Sequence, residues 1–256
     1  MPAGSTAELV ARALVQARQS RHPASATDLG AFDAATAYAV QDLVAQRMNW
    51  FADGPPRHWK SGGPSRAAVL THAPLPPEGV WASPADATTW PFRLRGIEAE
   101  IALRVACNVD APLVRDLEKS GRIGELVDAM CVSIEIVDSR WVEGLDAPAM
   151  AKLADLQSHG ALVLGAWVPF SGRDWSTQEC RVRIGTQAPV ERQGSHAFAD
   201  PLFALPTWLR HVMRSGGGVA QGTVITTGTW VGILHAAAGD LVHADFPGIG
   251  HASVQL

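Results

Sequence analysis

The 256-residue sequence predicts a mixed α/β protein (α+β), with a helical and loop-rich N-terminal portion, residues 1–90, feeding a larger β-rich portion, residues 91–256. Three observations carry that expectation. Val40, Leu43, Val44 and Met48 recur at helical spacing in the first fifty residues. Between Phe51 and Pro91, prolines at 55, 56, 64, 74, 76, 77, 84 and 91 forbid a long helix. Beyond Pro91, apolar residues alternate or fall in short runs bounded by Gly, Pro or Asp, as strands require.

Taken in order, Ser5-Thr6-Ala7-Glu8 reads as a capping box opening a helix toward Arg18, and Asp33 caps a second helix. Residues 51–91 form a loop-rich arm with short strands. Ile97, Ala99, Ile101, Leu103 and Val105 alternate with Glu98, Glu100 and Arg104 in a strand. A helical segment around Glu125 to Met130 leads into a second strand, Val132 to Val137. Shorter strands are expected at Ala161–Leu164, Val182–Ile184, Val224–Thr227, Leu241–Asp245 and Ser253–Leu256. A late helix, Thr207 to Arg214, runs toward Gly216-Gly217-Gly218, which suits a left-handed cap.

Composition narrows the function. Hydrophobic residues at 47% and charged residues at 18% describe a globular chain, so disorder is excluded. A net charge of −4 with no Lys/Arg cluster offers nothing to nucleic acid or an anionic membrane, leaving a small molecule as the expected partner. Cys107, Cys131 and Cys180 support neither a disulfide framework nor a CxxC metal knuckle. No secretory leader is legible in MPAGSTAELV, and no apolar run approaches the ~20 residues of a spanning helix, so a cytoplasmic location is expected.

The chemistry gathers on carboxylates. On a strand, Glu98 and Glu100 share one face about 6.6 Å apart, and two like charges so close repel unless a cation compensates. Glu135 sits mid-strand in Cys131-Val132-Ser133-Ile134-Glu135-Ile136-Val137, where an unpaired charge is costly. Three such carboxylates suit a hard cation such as Mg²⁺ or Mn²⁺. A blander arrangement, with Glu98 and Glu100 on a solvated face and Glu135 paired to Arg140, satisfies the same residues. Among the histidines, His235, His243 and His251 fall in separate elements, and His159 alone merits testing. Neither a phosphate loop nor a G-x-S-x-G elbow is present.

Several segments together resemble the fumarylacetoacetate hydrolase superfamily, in particular its 2-hydroxypentadienoate hydratase and 4-oxalocrotonate decarboxylase branch. GIEAEIALRV resembles the branch's E-x-E metal strand, and SIEIVDSRW its E-I-V-D-S-R strand. His58-Trp59-Lys60-Ser61-Gly62 is similar to G-x-K-x-G. Leu153-Ala154-Asp155-Leu156-Gln157-Ser158 with Val163-Leu164-Gly165 is similar to A-D-N-x-S…V-L-G. Ala37-Tyr38-Ala39-Val40-Gln41 near the N-terminus, and Thr227-Gly228-Thr229, Gly239-Asp240 and Ala244-Asp245-Phe246 near the C-terminus, extend the likeness over nearly the whole chain.

The resemblance implies a fumarylacetoacetate-hydrolase-like roll for residues 91–256, with Glu98, Glu100 and Glu135 holding Mg²⁺ or Mn²⁺. Lys60 would lie near the substrate, where it can hold the carboxylate or shuttle a proton, because a desolvated lysine beside a metal can have a depressed pKa, and Asp155 would be a second polar site residue. The activity implied is a hydratase (a hydro-lyase) adding water to a 2-hydroxy-2,4-dienoate to give a 4-hydroxy-2-oxo acid. Alternatives are a 4-oxalocrotonate-type decarboxylase, an acylpyruvate C–C hydrolase and a non-catalytic partner subunit. A homo-oligomer is implied, with association to a sister decarboxylase or hydratase as a further option. This sequence departs from the branch at Pro64, where a Thr is usual, and at Leu156, where an Asn is usual. Lys152, three before Asp155, has the K-x-x-D spacing of the superfamily's hydrolases. Loss of the Asn amide suggests a more apolar pocket and a preference for monoacids over diacids.

Overall fold

The computed structural model describes residues 5–214 and 216–256. Its helices and strands begin with α1 (Thr6–Ser20) and α2 (Ala34–Arg47), then β1 (His58–Gly62), β2 (Thr71–Pro74), β3 (Val80–Ala82) and β4 (Ala85–Asp86). β5 (Gly96–Val105), α3 (Ala111–Ser120), β6 (Val127–Val137), α4 (Ala149–Ala154), β7 (His159–Leu164) and β8 (Val168–Pro169) follow. The chain closes with β9 (Glu179–Ile184), β10 (Val190–Gln193), α5 (Leu205–Met213), β11 (Val224–Thr226), β12 (Leu234–His235), β13 (Leu241–Phe246) and β14 (Gly250–Gln255).

Local chemistry sets the first helix starts. Ser5 Oγ accepts the Glu8 amide at 3.3 Å and Asp33 accepts the Thr36 amide at 2.8 Å, so both N-caps form, while the Glu8 carboxylate pairs with Arg47 instead of closing the capping box. α1 and α2 pack Val10, Leu14, Val40 and Val44 against Trp141 and α4 in a core of their own. Gln41 ties α2 to α4 by donating to the Leu153 carbonyl at 2.7 Å.

Two sheets carry the rest. A nine-stranded sheet runs β2-β1-β11-β5-β6-β7-β3, with β12 on β5 and β8 on β6; a five-stranded sheet runs β10-β9-β13-β14-β4. Ile97, Ile101, Leu103, Ile134 and Ile136 of the first face Val182, Val242, Phe246 and Val254 of the second, and Trp208 and Leu209 of α5 join this core. The alternation seen in the sequence therefore puts Glu98, Glu100 and Glu135 on the opposite face of the nine-stranded sheet.

Three expectations change, and one helix is added. The segment before Val132 is strand from Val127 onward, entered from a 3₁₀ turn at Ile123–Leu126, because β5 offers a partner along that whole length. α3 is legible only in hindsight: Asp110 accepts the Leu113 amide, Pro112 stands in the first turn and Gly121 closes the helix at φ 68°. At the end of α5 the capping residue is Arg214, in the right-handed region, and the left-handed glycine lies beyond it at Gly216. The large sheet also crosses the boundary near residue 90, since β1, β2 and β3 all belong to it.

Candidate metal and substrate site

Strand register assembles the acidic cluster. Glu98 and Glu135 are direct cross-strand partners in the antiparallel β5–β6 pair, and Glu100 lies opposite Ser133. Carboxylate oxygens of all three lie within 4.8 Å of one another. Lys60 stands on β1, three strand positions from β6. A flat sheet would separate those strands by roughly 14 Å. Its Nζ nevertheless lies 2.6 Å from Glu135 Oε1, so the sheet curls into a half-barrel with these side chains on the concave face.

Burial and charge then compete. Burial pushes the Glu98 carboxyl up to about 8; Lys60 opposes the rise, and Glu135 and Glu100 add to it. Glu100 goes up to about 7 through burial and the Glu135 charge, with Lys60 and the Gly228 amide, which donates to Glu100 at 2.8 Å, working against it. Burial also acts on Glu135, but Lys60 and His159 outweigh it and hold that carboxyl below its ordinary range. Lys60 shows the same contest in reverse. Burial alone would lower it, yet Glu135, Glu98 and Glu100 keep the ammonium above its ordinary value. Without a metal in the cluster Lys60 is thus a charged donor; the depressed value expected from the sequence applies to a lysine beside a bound cation, which would offset those carboxylate charges.

Glu135 is fully buried, and its Oε2 has no hydrogen-bond partner while Oε1 takes both Lys60 and, at 3.1 Å, His159 Nδ1. A buried, unpartnered carboxylate oxygen beside two carboxyls whose charge is penalised fits an oxygen-seeking divalent cation. The Arg140 pairing does not form, because Arg140 binds Asp155 instead.

The cluster opens into a cavity of about 590 Å³, reached by Lys60, Glu98, Glu100, Lys152, Gln157 and Thr226, with Val137, Leu145 and Ile233 as apolar wall. Lys152 donates from Nζ to the Leu145 carbonyl at 2.8 Å and has further hydrogens for a ligand. Leu156, expected to remove an amide from the pocket, is buried elsewhere, and Gln157 faces the cavity. Leu156, Gln157 and Ser158 hold left-handed φ of 52°, 55° and 60°, a conformation costing roughly 1 kcal/mol or more per residue. That turn brings the Gln157 carbonyl to 3.3 Å from Lys60 Nζ and leaves its side-chain Oε1 unpartnered.

Asp155 lies outside the cavity. It is fully buried, accepting from Arg18 Nη2 at 3.0 Å, from Arg140 Nε at 2.7 Å and from the Arg140 amide at 2.9 Å. Removing one member of a buried pair strands the other charges, so Asp155→Asn is expected to lower urea stability by about 3 kcal/mol. Mn²⁺ affinity in that variant should stay native; a variant that keeps full stability but loses the metal would return Asp155 to the site.

Beyond the residues the sequence singled out, Gln157, Thr226 and Gly228 contribute to the site. The T-G-T run at 227–229 gave only a family likeness, with no chemical signal of its own.

The chain matches the family model described as fumarylacetoacetate hydrolase, C-terminal, over residues 57–256. It is similar in structure to 4-oxalocrotonate decarboxylase from Pseudomonas putida G7. With magnesium and adipate bound there, the TM-score is 0.82 at 19% identity, over 100% of this chain and 98% of that one. It also resembles fumarylpyruvate hydrolase from Pseudomonas aeruginosa, in complex with Mn²⁺ and pyruvate, at TM-score 0.55 and 12% identity, over 78% and 88% of the two chains.

Proposed function

The chain belongs to the fumarylacetoacetate hydrolase family, and from that premise we propose that it is a divalent-metal-dependent lyase acting on a small unsaturated 2-oxo acid. The observation that carries this is the carboxylate triad, in which Glu135 Oε2 has no partner while Oε1 accepts from the Lys60 ammonium beside the cavity. Mg²⁺ or Mn²⁺ held by Glu98, Glu100 and Glu135 would supply Lewis-acid stabilisation of negative charge on a 2-oxo oxygen. Lys60, within hydrogen-bond reach of Glu135, binds the substrate's carboxylate or donates a proton near it. Gln157 and the Glu135 carboxylate orient that ammonium.

The sequence favoured hydration of a monoacid, on the ground that Leu156 removes an amide from the pocket. Gln157 and Lys152 at the cavity remove that ground and support a dicarboxylate. The reading we favour is therefore the decarboxylase type. Lys152 draws in the distal carboxylate, and Val137, Leu145 and Ile233 provide the low-polarity wall that favours its loss as neutral CO₂. The adipate bound by the Pseudomonas putida decarboxylase is likewise a diacid. Hydration stays as the second reading because Ser61, Ser158 and Thr229 could hold a water in the same cavity.

Incubating the Mn²⁺-loaded protein with a 2-oxohex-3-enedioate, and separately with a 2-hydroxypentadienoate, separates the two by ultraviolet absorbance and CO₂ release. CO₂ from the diacid is expected, with Lys152→Met lowering kcat/KM for it by about tenfold or more. Consumption of the dienoate without CO₂ would replace the decarboxylase by the hydratase, and inertness toward both would sink the lyase reading.

A further inference from the structure

His159 stands between the acidic cluster and a second cavity. Its Nδ1 faces Glu135, yet the ring lines a different cavity, of about 380 Å³, between α1 and the segments around Trp90 and Arg140. There Arg18, Arg21, Arg93 and Arg140 meet only Glu78 and Asp138 as acidic lining residues. Asp138 is already engaged by the Arg93 and Leu94 amides. Behind the wall, Asp155 serves Arg18 and Arg140 at once, so two guanidiniums share a single carboxylate. Over the lining residues and Asp155, four guanidiniums meet three carboxylates, with Arg21, Arg93 and Glu78 at the exposed rim.

We propose that this cavity binds a small organic carboxylate carrying an apolar, ring-sized body. Guanidinium forks match a carboxylate with two parallel hydrogen bonds, and Arg18 has a buried Nε without a partner. His159, only 2% exposed, also leaves its Nε2 unpartnered, an independent sign of a polar group missing from this space. Trp50 and Trp90 provide flat apolar surface, and Trp50 already stacks on the Arg18 guanidinium at 4.9 Å. Burial and then Arg140 bring the Arg18 pKa down to about 9, against the opposing pull of Asp155 and Asp138, so a further anion beside it would be stabilising. A volume of about 380 Å³ lies within the range of small-molecule sites and holds a monocyclic acid.

Benzoate is the probe, with benzamide as its neutral isostere and inorganic phosphate as an anion without an apolar body. In calorimetry and thermal unfolding of the whole chain, benzoate should bind at one site and raise Tm, while benzamide should not. Arg18→Met should weaken benzoate by about tenfold or more, and Arg21→Gln, an exposed position that does not endanger the fold, should weaken it measurably. Lys60→Met should bind benzoate as the native protein does, which places the ligand outside the metal cavity. No binding at millimolar benzoate, native affinity in Arg21→Gln, loss of binding in Lys60→Met, or phosphate binding as tightly as benzoate would each overturn the proposal.

Discussion

Glu98→Gln is expected to weaken Mn²⁺ binding by roughly 100-fold or more and to remove nearly all turnover. Groups that merely orient a metal ligand are worth about 10- to 100-fold, and Glu98 is proposed as a ligand itself. The same substitution should stabilise the metal-free protein. The Glu98 carboxyl is raised from 4.5 to about 8 in the fold, so the folded state holds more protons than the unfolded chain between those values. Its contribution to stability is present at low pH and is lost as pH rises toward and through 8. The variant lacks that loss, and its advantage in Tm over the metal-free native protein should widen from about pH 4.5 to about pH 8 and then level off. Undiminished Mn²⁺ affinity by calorimetry would dissolve the carboxylate assignment, whatever happened to activity.

Lys60→Met should lower kcat by about two orders of magnitude, the scale of losing a positioned proton donor or charge. Metal affinity should not fall and is expected to rise, because the Lys60 ammonium occupies Glu135 Oε1 at 2.6 Å and competes with any cation for the cluster. Arginine is a poor substitute: its planar fork cannot reproduce a point contact with Glu135 and the Gln157 carbonyl. Near-native kcat in Lys60→Met would reduce the lysine to a structural counter-ion. A fall in Mn²⁺ affinity would show that its charge organises the carboxylates instead of opposing the metal.

The main strands were legible because one residue type serves both fold and chemistry. In β5, the alternation of Ile97, Ala99 and Ile101 with Glu98 and Glu100 announces both a buried face and an acidic one. β6 was harder, since Ser133 and Glu135 are as buried as Ile134 and Ile136, and periodicity cannot separate a core face from a cavity face when both are enclosed. Residue 135 is a metal candidate because an unpaired carboxylate in mid-strand is costly; the family motifs strengthen that reading, and register sets it opposite Glu98. The turn at 156–158 was unreadable for another reason. Three non-glycine residues in left-handed conformation contradict local preference, and only their tertiary contacts hold them, so the side chain facing the cavity was assigned one residue early. Asp155 misled in the opposite way: its motif suggested the pocket, while the long reach of Arg18 from α1 claims it for the join between helices and sheet.

The opposition of Glu98 to Glu135 also limits how this protein can diverge. A one-residue insertion or deletion within β5 or β6, before the irregularity at Arg104/Val105, would shift the pairing by one and reverse the faces. Glutamates would then point into the apolar core and isoleucines into the cavity, so foldability and chemistry would fail in a single mutational event. A change of length between β1 and β2, in residues 63–70, would leave that register untouched. New substrate ranges are therefore reached by exchanging side chains along fixed strands and by remodelling that loop, while the spacing of the acidic strands stays constant.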